Sequence, residues 1–86
     1  MAPAISIVMR SHNDDRHIGR TLESLARQRC PRSFEIVSID DGSTDSTGAI
    51  LDAFARAESR ARVVHVRNEG VSAARNRGIS MATGRY

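Results

Sequence analysis

Three short apolar runs, each passing through a polar turn into a stretch with apolar residues at helical spacing, restrict this chain to very few folds. The runs are Ala4 to Met9, Phe34 to Ile39, and Arg62 to Val66, the last built on Val63, Val64 and Val66. After the first, Asp14 to Arg29 carries Ile18, Leu22, Leu25 and Ala26 at helical intervals. After the second, a helix from about Asp45 to Ala57 sets Ile50, Leu51 and Phe54 on one face. After the third, a helix from Val71 to about Ala82 turns Val71, Ala74, Gly78 and Met81 or Ala82 inward. Strand and helix alternating three times over short connections pair the strands in parallel through right-handed crossovers. The predicted fold is α/β: half of a doubly wound, Rossmann-like parallel sheet of three β-α units, lacking the C-terminal half. Asn13 is the expected N-cap of the first helix, with Asp14 and Asp15 near its positive end. Pro31, after Cys30, closes that helix, Gly84 fits a C-cap of the third, and Arg85-Tyr86 starts a fourth strand.

Eighty-six residues make at most one small domain, and with only Phe34, Phe54 and Tyr86 as aromatics its core is aliphatic and thin. Cys30 is the only cysteine, so no intramolecular disulfide forms and a reducing compartment is the simplest reading. Met1-Ala2-Pro3-Ala4 runs into a strand without a basic leader, and no apolar run is long enough to cross a bilayer. A cytoplasmic location is expected, at the inner face of the membrane if a longer protein carries the chain there. All thirteen basic residues are arginine and the net charge is +3, a balance that favours anionic partners. These arginines are spread from position 10 to 85 with no aromatic platform among them, which argues against nucleic acid.

Three polar loops follow the three strands: Arg10-Ser11-His12-Asn13, Asp40-Asp41-Gly42-Ser43 and Asn68-Glu69-Gly70. In a parallel sheet all three lie along the carboxyl edge, where open α/β sheets bind ligands. Each opens a helix whose free N–H groups favour anions. Carboxylates at such an edge accept hydrogen bonds from sugar hydroxyls or from the N–H groups of a base, so a nucleotide or sugar is the expected ligand. Taken alone, Asp40-Asp41-Gly42-Ser43 reads equally as a turn with a helix cap. Two adjacent carboxylates without an adjacent base need a partner, which favours a site. The acid spacing is not that of a calcium loop, and neither GxxxxGK[ST] nor GxGxxG is present. His12, His17 and His65 lack the spacing of a zinc set.

With those residues in view, the chain resembles the N-terminal part of an inverting family 2 glycosyltransferase of the GT-A fold. The resemblance spans essentially all 86 residues. It rests on the opening strand and its turn ending in Asn13, on TLESLARQ (Thr21 to Gln28), on DDGSTDST (Asp40 to Thr47), and on NEGVSAARNRGISMATGRY (Asn68 to Tyr86). It implies a nucleotide-diphosphate sugar donor of the UDP, dTDP or GDP type along the carboxyl edge. By position Asp41 resembles the carboxylate that accepts the imide N–H of the base. Asp40 and the Gly42-Ser43 turn would support it and the ribose, Ser11 and His12 would line the base pocket, and Arg75 would face the diphosphate or brace the loop. The family's first loop commonly reads Pro-Thr-Tyr-Asn, so Arg10-Ser11-His12-Asn13 departs from it, and Arg10 adds a cation near the diphosphate region.

The Asp-x-Asp motif and the carboxylate base of the family lie beyond the strand that Gly84-Arg85-Tyr86 begins. The resemblance therefore implies a single truncated nucleotide-sugar-binding domain fragment over 1–86. No catalytic residue or cofactor is expected in this chain, and a divalent Mg or Mn is expected for the full-length enzyme. Such a fragment is expected to be inactive by itself. The alternative expectation is a non-catalytic nucleotide- or partner-binding module that self-associates through an exposed sheet edge.

Overall fold

The computed structural model describes residues 3–27 and 33–84. Its elements alternate as β1 (Ile5–Ser11), α1 (Ile18–Ala26), β2 (Phe34–Asp41), α2 (Thr47–Ala57), β3 (Ala61–Val66) and α3 (Val71–Met81). The sheet order is β1-β2-β3 with both pairings parallel. The predicted three β-α units are present, in the predicted order. The expected helix end at Cys30-Pro31 and the fourth strand at Arg85-Tyr86 lie outside the described residues.

All eight residues of β2 are buried, because neighbours flank it on both edges and helices cover both faces. Strand alternation sorts its side chains into two layers. Phe34 and Ile36 join Ile18, Leu22, Leu51 and Phe54 beneath α1 and α2. Val37 and Ile39 meet Val8, Val64, Val66, Ala74 and Met81 beneath α3. Each wholly buried Ile or Leu contributes roughly 1.5–3 kcal/mol of burial free energy. The third helix has a weakly amphipathic sequence and lies close to the sheet through Ala74 and Gly78, both buried. A Cβ at Gly78 would collide with Val8 and press on Ile39.

Several boundaries differ from the sequence expectation. β1 and β2 run on through Arg10-Ser11 and Asp40-Asp41, which were expected in turns. α1 begins at Ile18, not near Asp14, and its N-cap position is His17. Asn13 is not its cap; it takes the left-handed conformation (φ 48°) and its side chain serves the second loop. Val71 is half exposed instead of inward, since the first turn of α3 starts beside the carboxyl end of β2. Nor does Gly84 cap α3: the helix ends in extended Ala82, and the Gly84 amide donates to Ser6 Oγ on β1 (2.8 Å).

The exit of α3 is held by Glu35, a buried acid at the start of β2. Its oxygens accept from Ser6 Oγ (2.7 Å), from the Thr83 amide and hydroxyl (2.8 and 2.7 Å), and from Arg62 (2.5 Å). Burial by itself would raise the Glu35 pKa, but the Ser6 and Thr83 donors and Arg62 outweigh it and hold it at about 2. A lowered folded-state pKa means stabilisation that is complete above about pH 4.5 and is lost as pH falls toward 2. We therefore expect Glu35→Gln to cost roughly 1–3 kcal/mol at pH 7, with the deficit shrinking below pH 4. Urea unfolding of both proteins across that range checks it; a deficit independent of pH would contradict the assignment.

Candidate functional site

The acid pair at the end of β2 is split between the two faces of the sheet. Adjacent strand residues point oppositely, so Asp40 turns to the α1/α2 layer and Asp41 to the α3 layer. Each finds its counter-charge on a flanking strand. The partner that two neighbouring carboxylates require is supplied, for each of them, from within the chain.

Asp41 is wholly buried. Its Oδ2 accepts from Arg10 Nε (3.1 Å), Arg10 Nη2 (3.0 Å) and the Gly70 amide (3.0 Å), and its Oδ1 from the Glu69 amide (2.6 Å). Burial pushes this carboxyl up, but the Glu69 amide, the Arg10 guanidinium and the Gly70 amide more than offset it and hold the pKa below the usual aspartate range. The Asp41 carbonyl accepts from His12 Nδ1 (2.6 Å). A carbonyl can only accept, so Nδ1 carries the proton, and Nε2 faces the Asn13 amide nitrogen at 3.4 Å. Gly42 follows with φ 72°, a left-handed turn that suits glycine, and a Cβ there would stand 2.7 Å from the Asn68 nitrogen. This turn lets the third loop close over the second.

Asp40 is also buried. Its Oδ1 accepts from the Ser43 amide (3.2 Å) and its Oδ2 from His65 Nδ1 (2.7 Å). The other imidazole nitrogen of His65 lies 2.8 Å from Asp52 Oδ1 on α2. Both ring nitrogens thus face carboxylates, an arrangement satisfied only by the imidazolium, and the two hydrogen bonds raise the His65 pKa above 6.5.

The first two loops cap each other. Thr44 N donates to Asn13 Oδ1 (2.8 Å), while Asn13 N donates to Ser43 Oγ (3.0 Å). Asp14 N donates to Thr47 Oγ1 (2.9 Å), and Asp15 and Asp45 exchange similar bonds with the amides of Ser46 and Asp15. The amides of Asn13, Asp14 and Asp15 before α1 are met by side chains of Ser43, Thr47 and Asp45, and those of Thr44 and Ser46 before α2 by Asn13 and Asp15.

Of the expected site residues, Arg10, His12, Asp41, Gly42 and the Glu69-Gly70 turn form one cluster. Asn13 and Ser43 form the clasp beside it. Ser11 is buried and alternates onto the Met9 side of β1, away from Arg10. Asp40 serves His65. Arg75 is exposed one residue past buried Ala74, with no hydrogen bond among the described residues. Sequence reading missed His65 as the partner of Asp40 and Asp52 as the second partner of His65; the available signal was a histidine inside a valine-rich strand. Among the described residues no three His, Cys, Asp or Glu side chains gather as a metal set. The acid pair itself does not fit a divalent ion, because its carboxylates already face a guanidinium and an imidazole.

The profile of the family described as Glycosyl transferase family 2 matches residues 6–86. The chain belongs to that family. It is 40% identical over its whole length to the glycosyltransferase GlyG of Streptococcus pneumoniae, covering 29% of that protein. It is also 40% identical to the validoxylamine A glucosyltransferase of Streptomyces hygroscopicus, with 94% of the chain and 18% of that protein aligned. Among solved structures, S. aureus TarS in complex with UDP superposes with a TM-score of 0.79 at 31% identity, over 98% of this chain and 25% of TarS. The mannosyltransferase PcManGT of Pyrobaculum calidifontis, solved with GDP-Man and Mn2+, shares the fold at a TM-score of 0.79 and 24% identity, over 96% of this chain and 25% of its own. This family 2 chain thus spans between about a fifth and three tenths of these relatives, and its fold is the N-terminal part of their GT-A sheet.

The His65 bridge generates a prediction with a definite sign. A raised folded-state pKa gives stabilisation that is complete below about pH 6.5 and lost as pH rises through the raised value. His65 is half exposed, so we expect His65→Gln to cost roughly 1 kcal/mol at pH 6 and less at pH 9. Thermal melts of both proteins at the two pH values test this; equal deficits would show that the ring is not an imidazolium.

Proposed function

We propose that this chain is the nucleotide-binding part of a glycosyltransferase that moves a sugar from a nucleotide-diphosphate donor to an acceptor hydroxyl. The observation that carries the reading is where the chain changes layers. α1 and α2 cover one face, α3 covers the other, and the segment after α3 returns to Ser6 on β1. In doubly wound sheets ligands bind in the crevice outside the carboxyl ends of the strands, where the order reverses. That point is the end of β1, and Arg10, His12, Gly42 and the Glu69-Gly70 turn stand around it.

In this reading Asp41 accepts the imide N–H of the base, Asp40 and the Gly42-Ser43 turn support it and the ribose, Arg10, Ser11 and His12 border the nucleotide, Arg75 reaches toward the diphosphate, and Asn13 clasps the first loop to the second. The UDP of TarS and the GDP-Man of PcManGT support a donor with an imide-bearing base. The divalent ion, like the base that activates the acceptor, is assigned to residues other than those described. An isolated 86-residue chain is accordingly expected to bind nucleotide without transferring sugar. The second reading, a non-catalytic module, draws on β1, which pairs with β2 on one edge and has no strand on its other edge among the described residues.

The test is calorimetric titration of the full-length protein with UDP-, dTDP- and GDP-sugars, followed by assay of nucleoside diphosphate release. We expect one of the three to bind saturably and to be consumed when acceptor is supplied. His12→Ala should weaken that binding about tenfold, the loss of one well-placed contact. No binding by any of the three would overturn the proposal.

A further inference from the structure

The imidazole of His65 links the outer surface of the sheet to its carboxyl edge. His65 lies on β3 directly opposite Asp40, and its ring turns to the α2 side. Nδ1 faces Asp40 Oδ2 at 2.7 Å and Nε2 faces Asp52 Oδ1 at 2.8 Å. The other oxygen of Asp40 accepts from the Ser43 amide (3.2 Å), and the Ser43 hydroxyl accepts from the Asn13 amide (3.0 Å). A proton on His65 is therefore joined through one buried carboxylate to the Gly42-Ser43 turn and to the first loop. The first turn of α2 leaves room for this bridge. A Cβ at Gly48 would stand 2.8 Å from Asp40 Oδ2 and 3.3 Å from His65 Cε1, so a side chain there would push the pair apart.

The acid pair is balanced only while the ring is an imidazolium. Asp40 and Asp41 supply two negative charges, and their partners His65 and Arg10 supply two positive ones. The charged groups facing the ring are Asp40 from β2 and Asp52 from α2, and both favour its charged form. A neutral imidazole has one N–H for two carboxylates. Asp52 is half exposed and can turn to water, whereas Asp40 is buried, so the remaining proton stays on Nδ1. Asp40 then keeps a donor but loses its counter-charge, and a buried carboxylate without its cation is a costly arrangement. The edge also gains an uncompensated negative charge where an anionic diphosphate has to settle.

We propose that His65 is a positioning residue for the nucleotide: through Asp40 its imidazolium holds the Gly42-Ser43 turn and balances the acid pair, without touching the ligand. This inference rests on the nucleotide-binding reading above, and deepens it by adding a residue that lies outside the three loops. Its sign is fixed. Nucleotide and ring proton favour each other, so affinity falls as pH rises through the titration of His65. By the same linkage, bound nucleotide moves that titration upward.

The experiment reads both sides of the linkage in the full-length protein. The probe is whichever of the UDP-, dTDP- and GDP-sugars binds, since a diphosphate esterified at both ends does not itself titrate near neutral pH. We expect His65→Gln to raise Kd about three- to tenfold at pH 6, the effect of one nearby charge, and to bind with less dependence on pH than the unmodified protein. Among the imidazole NMR signals, the one that His65→Gln removes should titrate about half a unit to one unit higher when nucleotide is saturating, which is the same factor in Kd. Asp52→Asn guards against a folding defect: it keeps the shape of the outer acceptor and removes its charge, so the ring titration and the fall in affinity should move to lower pH together. A histidine that served only the fold would lower the melting temperature when replaced and leave the Kd of the folded protein unchanged. Wild-type affinity of His65→Gln at pH 6, or a ring titration that bound nucleotide does not move, overturns the inference while leaving the nucleotide site intact. Absence of nucleotide binding by the unmodified protein overturns both.

Discussion

A buried carboxylate must be neutralised and hydrogen-bonded or it unfolds what surrounds it, and Asp41 meets that demand by drawing three separate segments to one point. Arg10 brings in the end of β1, His12 fastens the first loop to the Asp41 carbonyl, and the Glu69 and Gly70 amides fix the turn that starts α3. The position of the third helix follows from this. Its sequence is only weakly amphipathic and its buried face is Ala74 and Gly78, which offer little area. Hydrophobic burial alone would orient such a helix poorly, so polar anchors fix its ends.

Glu35 provides the second anchor. The face of β2 beneath α3 reads Glu35, Val37, Ile39, Asp41, an acid at each end of an apolar pair. Each acid takes amides from one terminus of α3, Glu69 and Gly70 at the start and Thr83 at the exit, and each is paired with an arginine from a different flanking strand. The lengths agree. Six strand steps span roughly 20 Å, and the eleven residues of α3 span roughly 16 Å before the short connections at either end. Both carboxyls are held below their usual pKa range, so both anchors are charged over the physiological range.

How much of this could be read in the sequence follows from the range of the interactions. The α/β order was legible because apolar periodicity is local, and Ile36, Ile39, Leu51 and Ala74 lie in the core as their spacing requires. The partners of the acid pair were not. Arg10 lies 31 residues from Asp41 and His65 lies 25 from Asp40; the parallel register sets His65 opposite Asp40 and Arg10 opposite Ile39, two residues from Asp41 on the same face. Asn13 misleads for the same reason: its side chain has the chemistry of an N-cap, and the amide it serves belongs to Thr44 in another loop. Gly84 has the chemistry of a C-cap, but α3 ends earlier because Thr83 is captured by Glu35.

These long-range ties bear on function through the state of the carboxyl edge before a ligand arrives. The first and second loops cap each other, and the third is held down over Gly42, so little ordering remains to be done on binding. A site fixed in advance gains affinity by avoiding that entropic cost, and it also loses freedom to rearrange. Asp40 and Asp41, the most conspicuous acids in the sequence, are the most heavily committed. What those acids hold in place is the edge itself: the guanidinium of Arg10, the ring of His65 and the turn that opens α3 are set by the scaffold through them.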